Sequence, residues 1–136
     1  MKDQADFLLI VVGNPDKQDY LAYLKRKAKK LLQNNKILFA GYKTNKELLK
    51  YYNAADLFLM TSKSEAGLVV SMEAMACETP IFSTNVGNTA EILSKYNAGY
   101  IVDKTNYREW ESNLTEILSG KKIYILTRNI AIDYYS

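Results

Sequence analysis

Five short apolar runs, each closed by a polar turn and followed by residues at helical spacing, constrain this chain more than any other feature. Phe7-Leu8-Leu9-Ile10-Val11-Val12 is continuous and rich in β-branched residues, the pattern of a parallel strand covered on both faces. Ile37-Leu38-Phe39-Ala40, Leu57-Phe58-Leu59-Met60, Ile81-Phe82-Ser83-Thr84 and Tyr100-Ile101-Val102 repeat it. Helical patterns lie between them, over 19–33, 45–53, 68–77 and 89–94, and two more, over 106–119 and 123–135, follow on either side of Gly120. Strands that alternate with helices predict an α/β fold: a doubly wound parallel sheet of about five strands with right-handed crossovers. The 136 residues, 48% of them hydrophobic, suffice for one domain with a core.

Over 19–33 the apolar positions Tyr20, Leu21, Leu24, Ala28, Leu31 and Leu32 share one stripe, with Lys25, Arg26, Lys27, Lys29 and Lys30 largely opposite. Such a basic run is usually a solvated face. Nucleic acid or an anionic membrane would be its sharper partner.

The segment over 68–77 is different. Apart from Ser71 and Glu73 it has no polar side chain, so its helix is expected to be buried nearly all round. A carboxylate there requires a partner, and the neighbouring sequence supplies none. Glu65 stands eight residues earlier, in the loop or first turn. Because a helical side chain leans toward the N-terminus, both acids can face one mouth. Gly67 between them permits close backbone approach, and the N–H groups around Leu68, Val69 and Val70 suit an anion. The plainer alternatives are that Glu65 only complements the helix dipole and Glu73 only satisfies a core hydrogen bond. Four of the six glycines, Gly13, Gly41, Gly67 and Gly87, come one to seven residues after a predicted strand. In a parallel sheet such loops emerge at the carboxyl edge, where open α/β folds bind ligands.

Several chemistries are excluded. With no histidine the chain cannot build Ser-His-Asp or Cys-His catalysis, or a zinc site containing histidine. Its single cysteine, Cys77, forms no internal disulfide and reads as a small buried hydrophobe. No apolar run approaches the roughly 20 residues that cross a bilayer, and the first residues lack the pattern of a secretory signal. A cytoplasmic location is therefore expected.

The segment from Thr61 to Cys77 resembles the E-x7-E motif of retaining nucleotide-sugar glycosyltransferases of the family 4 type, with Glu65 and Glu73 as the two acids and Glu73-Ala74-Met75-Ala76-Cys77 as the usual tail. The continuation Thr79-Pro80-Ile81-Phe82-Ser83-Thr84-Asn85-Val86-Gly87-Asn88-Thr89-Ala90-Glu91-Ile92 is similar to the strand, glycine loop and glutamate that follow in that family. The resemblance implies a Rossmann-like donor-binding domain over 1–136, the C-terminal half of a two-domain enzyme. It implies Glu65 as the catalytic acid against the donor sugar, Ala66 and Gly67 touching sugar hydroxyls, and the backbone from Leu68 to Val70 meeting the diphosphate. Glu73 would hold the ribose hydroxyls, Gly41, Tyr42 and Lys43 would read the nucleobase, Gly13 would line the donor cleft, and Glu91 would support its loop. No metal and no cofactor are implied beyond the nucleotide sugar itself, since the donor's own phosphate assists the incoming hydroxyl. The acceptor, a glycan or lipid-linked sugar, would be held by a separate N-terminal domain. No nucleic-acid partner is expected, and peripheral contact with the inner face of a membrane is the remaining partner reading.

The chain departs from the family pattern in three places. Ala66 and Leu68 stand where glycines are common, with Gly67 displaced between them, and Glu78 replaces the usual glycine before Thr79-Pro80. The family's first strand, ending in Gly-Arg, and its following helix start with Lys do not precede 7–12. The strands at 7–12 and 57–60 would then lack their shared neighbour, so direct pairing, a swapped partner, a rearranged sheet or poor stability is expected. Donor binding by the chain alone should be weak. The alternative function is a non-catalytic α/β nucleotide- or protein-binding module in which the acids serve structure.

Overall fold

The computed structural model describes residues 6–62, 69–103 and 105–120. The chain divides into two compact units, Met1–Glu47 and Leu48–Ser136. The second helix-forming stretch expected after Gly120, over 123–135, lies outside the described residues.

In the first unit, strand β1 (Leu9–Val12) leads through helices α1 (Gln18–Lys27) and α2 (Lys29–Gln33) to strand β2 (Ile37–Gly41). The two strands are parallel, with Leu9 opposite Ile37, Ile10 opposite Leu38 and Val11 opposite Phe39. The helical run predicted over 19–33 is interrupted at Ala28, whose ψ is 8°. Hydrogen bonds continue through the junction, Ala28 N–H to Leu24 O at 2.8 Å and Leu32 N–H to Ala28 O at 2.9 Å, so this is a local distortion. Like charges four apart, Lys25 with Lys29 and Arg26 with Lys30, oppose a regular helix there. Tyr20, expected on the apolar stripe, is exposed and stacks on Tyr23.

The expectation that the 7–12 strand is covered on both faces is not met. Leu8 is 57% exposed, and the opposed pair Ile10 and Leu38 are 39% and 49% exposed. The reason is topological: α1 and α2 cover the face of Leu9, Val11, Ile37 and Phe39, with Lys25 over the Phe39 ring, and two strands have no second layer. No described residue of this unit is buried.

The unit boundary falls inside helix α3 (Asn45–Ala54). Beyond it follow β3 (Phe58–Met60), α4 (Val69–Ala76), β4 (Ile81–Thr84), α5 (Thr89–Tyr96), β5 (Gly99–Val102) and α6 (Tyr107–Leu118). All three strands are parallel in the order β3-β4-β5, with Leu59 opposite Phe82 and Phe82 opposite Tyr100. The α/β alternation and the five described strands are those read from the sequence, but hydrogen bonding divides them into two sheets, each parallel within itself. Among the described residues β1 pairs only with β2, and β3 only with β4.

Strand β4 is central and buried along its whole length. The core around it comprises Tyr52, Met72, Ala74, Met75, Ile81, Ile92, Leu93 and Ala98. Phe82 lies between Tyr100, stacked at 5.8 Å, and Trp110, edge-on at 4.8 Å. Asn106 caps α6 by accepting from the Glu109 N–H. No helix among the described residues is long and apolar enough to cross a membrane.

Candidate functional site

The chemistry-bearing positions fall in both units. In the first, the strand ends meet through Gly13 N–H donating to Gly41 O at 2.9 Å. Gly13 has φ +135° and Gly41 φ +69°, conformations that side chains resist. Tyr42 follows, 65% exposed, then half-buried Lys43. Thr44 closes the loop: its N–H and hydroxyl both donate to the Glu47 carboxylate, at 2.9 and 2.8 Å, starting α3.

In the second unit, β3 and β4 are tied together at their carboxyl ends. The Thr84 hydroxyl donates to Ser62 O at 2.7 Å, fixing the point where the chain leaves β3. Ser71, in the first turn of α4, donates to the Met60 sulfur at 3.4 Å. The first turn of α4, beginning at Val69, therefore lies beside the carboxyl end of β3, as a crossover helix must. Its first amide groups have no partner within the helix.

Of the positions singled out in the sequence, Glu65, Ala66, Gly67 and Leu68 lie outside the described residues. Val69 opens α4 and is 61% exposed, and Val70 is half-buried. Ser71, Met72, Ala74 and Met75 are buried, as an apolar helix requires. Glu91 is exposed in the first turn of α5. Cys77 is half-buried rather than fully buried, with the Asn53 side-chain amide 3.5 Å from its sulfur.

Glu73 has the partner that the local sequence does not supply. The Tyr52 hydroxyl, on α3, donates to Glu73 Oε2 at 3.2 Å. Tyr52 is only 7% exposed, its ring meets Phe58 edge-on at 5.4 Å, and its carbonyl accepts from the Thr79 hydroxyl at 2.7 Å. Burial, and then the charge of Glu73 and the hydrogen bond to it, push the Tyr52 hydroxyl well above its ordinary pKa. It remains a protonated donor through the neutral range. Among the described residues the second carboxylate oxygen, Oε1, takes no hydrogen bond. Glu73 is half-buried, so it joins an internal anchor to partial solvent access.

A depression around the last turn of α5 and the start of β5, including Leu93, Ser94, Asn97 and Gly99, lies at the opposite edge of this sheet. It holds no acidic or basic side chain and is not the site.

Parallel strands joined by crossover helices define a Rossmann-like α/β protein. The chain belongs to the glycosyl transferases group 1 family, whose model matches residues 1–132. It is 34% identical over 129 residues to an uncharacterized glycosyltransferase of Methanocaldococcus jannaschii, covering 93% of this chain and 32% of that protein. It is 30% identical over 95 residues to the D-inositol 3-phosphate glycosyltransferase of Mycolicibacterium smegmatis, covering 70% of this chain and 22% of that protein. The chain thus spans a third or less of these curated relatives. Two solved structures share its fold at 21% identity. One is Anabaena HepE in complex with UDP, with a TM-score of 0.76 over 94% of this chain and 35% of that one. The other is WaaG, a glycosyltransferase involved in lipopolysaccharide biosynthesis, with a TM-score of 0.70 over 93% of this chain and 31% of that one.

Proposed function

We propose that this chain is the nucleotide-sugar-binding part, over 1–136, of a retaining glycosyltransferase. The observation that carries the reading is Glu73: a carboxylate on an otherwise apolar helix, anchored through one oxygen, two residues after Ser71, which meets the last residue of β3. Binding of UDP by HepE, which shares the fold, supports a nucleoside diphosphate as the shared part of the donor.

In this reading Glu73 accepts the ribose hydroxyls and the amides at Leu68, Val69 and Val70 face the diphosphate. Glu65 lies against the sugar with the backbone of Ala66 and Gly67. The bond from the sugar's anomeric carbon to the diphosphate oxygen breaks, and its electron pair leaves with the diphosphate. An acceptor oxygen bonds to the same face of that carbon, and its proton passes to the departing phosphate. The protein's share is positioning and charge stabilisation, which suits a chain with no imidazole. The acceptor is a glycan or lipid-linked sugar bound through another part of the enzyme. The location proposed for it is the cytoplasm.

A second reading is favoured by the Tyr52 bond, which a purely structural acid would also make. Calorimetric titration with UDP, GDP and their diphospho-sugars separates the two. Glu73→Ala is expected to weaken nucleotide binding about tenfold or more, since each hydrogen bond to a charged group contributes about 1.5–3 kcal/mol. Equal binding by the variant would favour the structural module.

A further inference from the structure

Tyr52 is one of 11 tyrosines and belongs to none of the sequence motifs. Its surroundings are unusually restrictive. The ring is held edge-on by Phe58, the carbonyl by Thr79, and the whole side chain is buried, so its hydroxyl points in one direction. That direction is Glu73 Oε2. The terminal torsion of a glutamate is broad and roughly two-fold, so a lone carboxylate samples many orientations of its plane. A fixed donor on one oxygen removes that freedom.

We propose that Tyr52 is a positioning residue for the donor nucleotide: its hydroxyl locks the carboxylate plane of Glu73 so that Oε1 is presented to the vicinal hydroxyls of the ribose. The proposal rests on the reading of Glu73 as the ribose acceptor. It adds that recognition of the 2′-hydroxyl depends on a side chain that never touches the ligand. With the plane free, the carboxylate must be ordered at the moment of binding, and the cost falls on the contact made to the diol. Contacts to the diphosphate and base are untouched. The loss is therefore selective for the ribose.

The test is calorimetric titration of the full chain with UDP and with 2′-deoxy-UDP, comparing wild type, Tyr52→Phe, Glu73→Gln and the double variant. The wild type is expected to prefer UDP by about tenfold, the scale of one charge-assisted hydrogen bond. Tyr52→Phe, which keeps the ring and its packing, is expected to lose about threefold or more of that preference, with a smaller loss of affinity for the deoxynucleotide, which keeps only the 3′-hydroxyl contact. The double variant should match Glu73→Gln, because the tyrosine acts only through the acid. A Tyr52→Phe chain that weakens both nucleotides equally, or neither, overturns the positioning role while leaving the ribose reading intact if Glu73→Gln still abolishes the preference. A wild type with no preference, or a Glu73→Gln variant that keeps it, overturns both. The same coupling can be read in the wild type alone: UDP is expected to shift the Glu73 carboxyl-carbon and Tyr52 ring-carbon NMR signals together. A shift at Glu73 with none at Tyr52 refutes the proposal.

Discussion

Between Tyr52 and Glu73 a hydroxyl and a carboxylate share one proton's worth of attraction in a half-dry setting, and alkali should expose it. The folded-state pKa of Tyr52 is raised above the ordinary 10.0, so the folded chain keeps a proton there that the unfolded chain releases. That contribution to stability is fully present below about pH 10 and is lost as pH rises further, toward the folded-state value. Stability measured by urea unfolding should therefore fall above pH 10, and the fall should be shallower in Tyr52→Phe. Equal slopes for the two chains would show that the hydroxyl is not held as described. The acid's oddity was legible in the sequence, because one charge interrupts an apolar helix. Its partner was not, because Tyr52 lies 21 residues away on another helix beside an identical neighbour, Tyr51. Glu65 lies outside the described residues, so its expected role stands on the motif alone.

The turns from helix to strand repeat one device. After α2, α4 and α5 a residue with positive φ ends the helix: Asn35 at +53°, Glu78 at +60° and Asn97 at +49°. Each is bracketed by the same pair of backbone bonds, for example Glu78 N–H to Met75 O and Thr79 N–H to Ala74 O, both 2.9 Å. Asparagine tolerates this conformation, whereas glutamate is strained in it. Glu78→Gly should therefore raise stability by about 1 kcal/mol, read as a higher urea midpoint with unchanged slope. The sequence already showed Glu78 standing where glycine is usual, and the geometry gives the physical reason. Nothing in the sequence set Gly99 apart. A methyl group there would run into the Ile81 carbonyl of the neighbouring strand β4. Gly99→Ala should cost about 1–3 kcal/mol, because a backbone group rather than a flexible side chain must give way. An unchanged midpoint would contradict the tight β4-β5 approach. The Thr44 and Glu47 pair that starts α3 was also missed, although the spacing of a hydroxyl and an acid three apart could have revealed it.

Across the whole chain, the two units differ in how much they bury. The second has a continuous core around β4, while the first has no buried described residue and exposes Leu8, Ile10 and Leu38. Apolar runs in the sequence located the five strands among the described residues, since a run of Leu, Ile and Val is recognisable whatever covers it. They could not say which strands would be covered, because burial depends on the neighbouring layer. Nor could they show that the strands would form sheets of two and three. A crystal structure of the chain with UDP decides whether Tyr52 holds Glu73 to accept a nucleotide's ribose. The result expected is a ribose hydroxyl about 2.5–3.0 Å from Glu73 Oε1, with the Tyr52 bond to Oε2 retained. UDP bound with its ribose away from Glu73, or Glu73 turned to bond only protein groups, would contradict it.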